Sequence, residues 1–218
     1  MKTTDTTERG LETLIVEALT TQGGYLPGLP ADYDRALALD VPRLLVFLAA
    51  TQPDAVQQFR LTDLPAERQK FLERLRPEIS RRGVVEVLRE GIKHGPATVQ
   101  FYYPTPSAGN AAAAQRHAHN QWSVTRQVRY SLQNGNSVDV VVFLNGLPLL
   151  TMELKNSLTK QTVADAVGQY QHDRDPKERG RVRGVAHVQN GTSATATPKS
   201  CCFSPAAAWC IWPSMTSR

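Results

Sequence analysis

Apolar residues recur along this chain with two different periods, and the change of period divides it. From Thr6 or Thr7, either able to cap a helix, to about Thr21, Leu11, Leu14, Ile15, Ala18 and Leu19 form one stripe. Gly23 and Gly24 end that helix. From Asp32 to about Ile92 the pattern stays helical, interrupted at Pro42, Pro53, Pro65 and Pro77, which act as first-turn residues or stops. Phe71, Leu72, Leu75 and Ile79 repeat at helical spacing, as do Val84, Val85, Leu88 and Ile92, and these are core positions. After Ile92 the period falls to two. Ala97 to Tyr103 predicts a strand, Pro104 to Ala114 a small-residue loop without periodicity, and Val124 to Leu132 a second strand. That second strand sets Thr125, Gln127, Arg129 and Ser131 on one face and Val124, Arg126, Val128 and Tyr130 on the other, its arginines toward solvent or a polyanion.

The stretch 138–155, VDVVVFLNGLPLLTMELK, carries the strongest local signal. Two β-branched and apolar runs flank Asn145-Gly146, a pair that favours the two-residue hairpin turn. Three charges interrupt the apolar run: Asp139 opens the first strand, and Glu153 and Lys155 close the second on one face. In an antiparallel pair centred on the turn, Asp139 falls roughly opposite Glu153. Charges at strand ends are more often solvated than functional. Strands apolar enough to be buried on both faces, however, do not ordinarily carry three charges without a use for them. Two carboxylates converging there suit Mg²⁺, which takes one or two carboxylates together with waters and phosphate oxygens. Beyond the hairpin, Asn156 to Lys160 predicts a turn and Thr162 to His172 a short helix with Ala164, Ala166, Val167 and Tyr170 available for packing.

Composition adds limits. The 218 residues are 41% apolar and 21% charged, enough for one good core and a helical subdomain. A net charge of +5 suits a polyanionic partner without demanding one. No apolar run is long enough to span a bilayer and MKTTDTTERG lacks a signal-peptide core, so a cytoplasmic protein with no membrane partner is expected. Cys201, Cys202 and Cys210 crowd into the tail and support neither a disulfide framework nor a zinc site. His94, His117 and His119 lack metal-site spacing and read as surface residues.

An Asp followed, after an apolar run, by Glu-x-Lys is the signature of the PD-(D/E)xK nucleases, and here the similarity is longer than that motif. The run NSVDVVVFLNGLPLLTMELKNSLTKQTVADAVGQYQHDRDP resembles the amino-terminal nuclease domain of the restriction (R) subunit of type I restriction-modification enzymes. LIVEALTTQGGY, YDRALALDVPRLLVFLAATQP, VLREGIKHG and HNQWSVTRQVRYS do so too, in the family's order, roughly from Thr7 to Pro176. The resemblance implies an α/β, restriction-endonuclease-like fold: a mixed central sheet flanked by helices, with a helical insertion at about 32–92 before the catalytic hairpin. It implies a nuclease domain over 1–176 and a non-family, poorly ordered tail over 177–218. It also implies that Asp139, Glu153 and the backbone carbonyl of Leu154 hold Mg²⁺, with Glu12 as a further, weaker ligand from the first helix. Lys155 would orient the attacking water, and Gln169 would support Lys155 or the phosphate. The family's Q-x-x-x-Y pattern is met only in part, because Asp173 stands four residues after Gln169 and the aromatic residue is the adjacent Tyr170.

The partners so implied are double-stranded DNA and the modification and specificity subunits of a type I complex. ATP would enter only through motor domains, since the chain has no G-x-x-x-x-G-K-[ST] loop. Two other readings stay open: a truncated remnant that binds DNA or partner subunits weakly without cutting, and an autonomous small nuclease of the same fold. The tail, with every cysteine and two of the three tryptophans in its last eighteen residues, reads as the product of a frame slip between about Pro176 and Ser200.

Overall fold

The computed structural model describes residues 8–132 and 134–154. The first helix, α1 (Glu8–Thr21), forms as the pattern predicts and stops before Gly24, whose φ of +71° suits a residue without a side chain. Its buried face is not the predicted stripe. Leu11 and Leu14 are 40% and 50% exposed, whereas Glu12, Val16 and Leu19 turn inward at i, i+4 and i+7.

Between Asp32 and Ile92 the chain is less uniformly helical than its period suggests. β1 (Leu26–Pro27) leads to a 3-10 turn at Pro30–Asp32, then to a ribbon of β2 (Tyr33–Asp34) and β3 (Leu39–Asp40). The ribbon closes because Asp34 Oδ1 accepts from the backbone N–H groups of Ala36 and Leu37, at 2.8 and 3.0 Å, and offers the backbone a turn instead of a helix. Helices follow: α2 (Val41–Thr51), α3 (Pro53–Gln58), α4 (Pro65–Arg82) and α5 (Val84–Glu90). Pro42, Pro53 and Pro65 lie in first turns as expected, with Asp40 capping α2 through the N–H of Arg43. Pro77 does not stop its helix. α4 runs through it, held on both sides by the buried Phe71, Leu72, Leu75 and Ile79.

The strand expected over 97–103 is shorter: β5 (Ala97–Val99) pairs with β4 (Ile92–His94) in a ribbon turned at Gly95. The expected loop over 104–114 ends in a helix, α6 (Ala111–Ala118). Four successive alanines favour it, and Asn110 caps it by accepting from the N–H of Ala113 at 3.0 Å. It buries no residue, so it left no periodic trace in the sequence.

β6 (Trp122–Arg129), β7 (Ser137–Leu144) and β8 (Leu147–Met152) make an antiparallel meander, and β1 adds in parallel to β6, giving a four-stranded mixed sheet in the order β1-β6-β7-β8. α1 covers one face, where Val16 and Leu19 pack on Val124, Val140 and Val142. Residues of the β2–β3 ribbon, Tyr33 and Ala38, pack with Val128, Val138, Val141 and Phe143. The largest core joins helices to hairpin: Phe47, Phe71 and Phe101, all fully buried, cluster with Leu144 and Leu147 at the hairpin tip. At about 1.5–3 kcal/mol for each large apolar side chain withdrawn from water, this shared core ties the helical segment to the sheet.

Asn145 and Gly146 form the turn with φ of +53° and +84°. This turn is buried, contrary to the usual place of hairpin loops. Asn145 is fully enclosed, and a side chain on Gly146 would meet the Asp40 carbonyl oxygen at 2.5 Å.

Candidate nuclease site

At the far end of the hairpin from this turn, the register decides which residues meet. Leu144 pairs with Leu147 and Phe143 with Pro148, as a two-residue loop requires. Continued without interruption, that register sets Asp139 against Met152. A bulge intervenes: Val142 pairs with Leu150, leaving Leu149 as an extra residue, and Val140 then pairs with Met152. The paired register ends there; carried one position further, it would set Asp139 opposite Glu153. The Leu154 N–H donates to Asp139 Oδ2 at 2.7 Å and fixes the end of β8 to that carboxylate.

The second irregularity lies on β6. Gln127 has φ of +48°, in the left-handed region, in the interior of a strand. Cross-strand partners run from Trp122↔Leu144 to Arg126↔Val140 and resume at Val128↔Val138, with the Gln127–Asp139 position passed over. Val124 and Val140 belong to one core cluster and Val128 and Val138 to another, so the inward face changes across this position. The face assignment read from strict alternation is therefore wrong beyond Arg126, because one left-handed residue breaks the period of two.

This break brings α1 into the site. Arg126 Nε donates to Glu12 Oε1, and Arg126 Nη2 donates to Thr13 Oγ1 at 3.2 Å. Gln127 Nε2 donates to Glu12 Oε2 at 2.9 Å and approaches Asp139 Oδ1 at 3.3 Å, while Gln127 Oε1 accepts from Ser137 Oγ at 3.2 Å. Glu12, the weaker ligand implied by the resemblance, is only 4% exposed. A carboxylate so enclosed needs compensation, and Arg126 and Gln127 supply it. Arg126 therefore does not face solvent or a polyanion freely. Sequence reasoning missed Arg126 and Gln127 as site residues, because Ser123, Thr125 and Arg129 make the whole strand polar enough that these two do not stand out.

Asp139, Glu12 and Leu154 thus converge, and Glu153 is half-buried at the next pair position. Lys155 and Gln169 lie outside the described residues, as does the 177–218 tail. Among the described residues no group of three or more His, Cys, Asp or Glu side chains assembles for a metal. A hard divalent cation needs only one or two carboxylates. The donor set fits that demand: one amide nitrogen, Gln127 Nε2, is approached by oxygens of both Glu12 and Asp139, so both point at a common place. The histidines stand apart. His94 is wedged edge-on between Phe59 and Phe71, with ring centroids at 4.6 and 5.2 Å, and its burial lowers its pKa. His117 Nδ1 lies 2.8 Å from the Tyr103 carbonyl oxygen.

A mixed sheet with a helix across one face and an acidic strand end is the restriction-endonuclease-like arrangement. The family model for the type I restriction enzyme R protein N terminus matches residues 50–190, and the chain belongs to that family. The match takes in β6 to β8 with Asp139 and Glu153, while α1 and Glu12 precede it. No curated protein and no solved structure matches the chain. No helix among the described residues is long and apolar enough to cross a membrane.

Proposed function

We propose that this chain is a Mg²⁺-dependent DNA endonuclease domain of a type I restriction R subunit, acting in the cytoplasm on double-stranded DNA. The observation that carries this reading is the convergence of Asp139 and Glu12 on one point, with Glu153 in the next pair position and the family match around the hairpin. Asp139, Glu153 and the Leu154 carbonyl, with Glu12 in support, would hold a divalent cation, which would supply polarisation of the scissile phosphate and a water of lowered pKa. The protein's own part is orientation. The Leu154 N–H and the Gln127 amide fix both oxygens of Asp139, and Arg126 balances the buried charge of Glu12. Lys155 orients the attacking water and offsets charge on the phosphorane-like transition state, and Gln169 supports Lys155 or the phosphate. Modification and specificity subunits would select the DNA, and an ATP-driven motor elsewhere in the R subunit would deliver it.

Supercoiled plasmid with Mg²⁺ or Mn²⁺ tests the reading. Nicking by the chain that disappears in Asp139→Ala is expected. Equal nicking by both proteins would refute it.

One observation favours a second reading, a non-cutting remnant that binds DNA or partner subunits weakly. All four carboxylate oxygens of Glu12 and Asp139 already face protein donors. Titration separates the two: the nuclease binds Mn²⁺ through Asp139, and the remnant does not.

A further inference from the structure

Gln127 combines a strained backbone with a side chain set between two carboxylates. In a regular strand, neighbouring residues point to opposite faces. Here Arg126 and Gln127 both reach the same Glu12 carboxylate, which the φ of +48° at Gln127 makes possible. Glycine would adopt this backbone without a steric cost, whereas a residue with a side chain crowds its own backbone there. A glutamine in this conformation needs a compensating role for its amide. That amide donates to Glu12 Oε2, approaches Asp139 Oδ1 and is steadied through its own oxygen by Ser137. Two like-charged carboxylates are thereby held around one neutral donor.

We infer that Gln127 is a positioning residue of the metal site: its amide NH₂ stands in the place a divalent cation takes, keeps Glu12 and Asp139 apart at the right spacing, and is displaced when the cation binds. The inference rests on the nuclease reading above. A neutral donor supplies part of what a cation supplies, so the metal-free chain is stable, and metal binding must first break the contacts of this amide. Removing the amide then has opposite effects on the two states. The metal-free protein loses the donor between its carboxylates, and the cation no longer competes for the place.

The test is Mn²⁺ binding, followed by calorimetry and by the electron-spin-resonance signal of free Mn²⁺, together with thermal unfolding in the absence and presence of Mn²⁺. The proteins are the wild-type chain, Gln127→Gly, Gln127→Glu and Asp139→Asn. Glycine suits the left-handed backbone, so Gln127→Gly keeps the strand, and circular dichroism confirms it. Gln127→Gly should bind Mn²⁺ about three- to tenfold more tightly, the range that the lost amide contacts convert to. The strain that glycine relieves is common to the metal-free and metal-bound states, so the rise in melting temperature on adding Mn²⁺ should exceed that of wild type. Gln127→Glu, a third carboxylate at the same place, should show both effects more strongly. Unchanged or weaker Mn²⁺ affinity in Gln127→Gly, with binding abolished in Asp139→Asn, would overturn the role of Gln127 and leave the metal site standing. Wild-type Mn²⁺ affinity that Asp139→Asn does not alter would overturn the site itself, and this inference with it.

Discussion

Replacing Asn145 by alanine tests whether the buried hairpin tip anchors the strands that present the site. Asn145 has no exposed surface. Its side-chain oxygen accepts from the Gln121 N–H at 2.7 Å, and its side-chain nitrogen donates to the Phe101 carbonyl at 2.8 Å and to Asn120 Oδ1 at 3.0 Å. Alanine removes all three and leaves the Phe101 carbonyl and the Gln121 N–H without these partners. Each stranded group costs about 1–3 kcal/mol, and alanine at a φ of +53° adds about 1 kcal/mol of strain. A loss of about 3–7 kcal/mol is therefore expected, a large part of the ~5–15 kcal/mol that stabilises a typical domain. Asn145→Gly loses the same hydrogen bonds without the strain, so it should recover about 1 kcal/mol of that deficit. Urea denaturation of the chain and of both variants measures these differences through their midpoints at constant slope. A deficit below about 1 kcal/mol for Asn145→Ala would refute the reasoning, because it would mean that these bonds exchange freely with water.

Two further outcomes follow from the structure. Deleting Leu149 removes the bulge yet leaves Val142 against Leu150 and Glu153 at the position opposite Asp139, so circular dichroism and Mn²⁺ affinity should both stay near wild type. An affinity fallen to that of Asp139→Asn would show that the distortion at the bulge, and not the register alone, positions Glu153. His94 has its pKa lowered below the ordinary 6.5, first by burial and then by Arg74, so the unfolded chain holds the proton more tightly. The stability tied to its neutral form is present above pH 6.5 and is lost as pH falls through the lowered folded value. Urea midpoints of wild type should therefore drop more steeply than those of His94→Phe below that pH, and parallel curves would remove His94 from the acid response.

Much of the architecture was legible because it depends on local period and turn chemistry. The alternating apolar runs and Asn145-Gly146 are sufficient for the hairpin, since that pair adopts the two left-handed conformations the turn needs. Phe71, Leu72, Leu75 and Ile79 likewise announce the buried face of α4. Local signals failed where they were absent or misleading. α6 buries no residue and so has no apolar stripe, and Leu11 and Leu14 completed a stripe on α1 that the sheet does not cover.

By itself the sequence determined the strands, their turn, the acidic residues at their ends and the family to which they belong. Tertiary structure decided how those residues meet. One extra residue at Leu149 moves β8 by a single position, and because side chains alternate, that step exchanges Met152 for Glu153 opposite Asp139. One left-handed residue at Gln127 turns two neighbouring side chains toward the same helix, and so recruits Glu12 from over a hundred residues away in the chain. Neither event has a local signature, because a bulge and a positive φ on glutamine are both locally unfavourable and persist only through the long-range contacts they create.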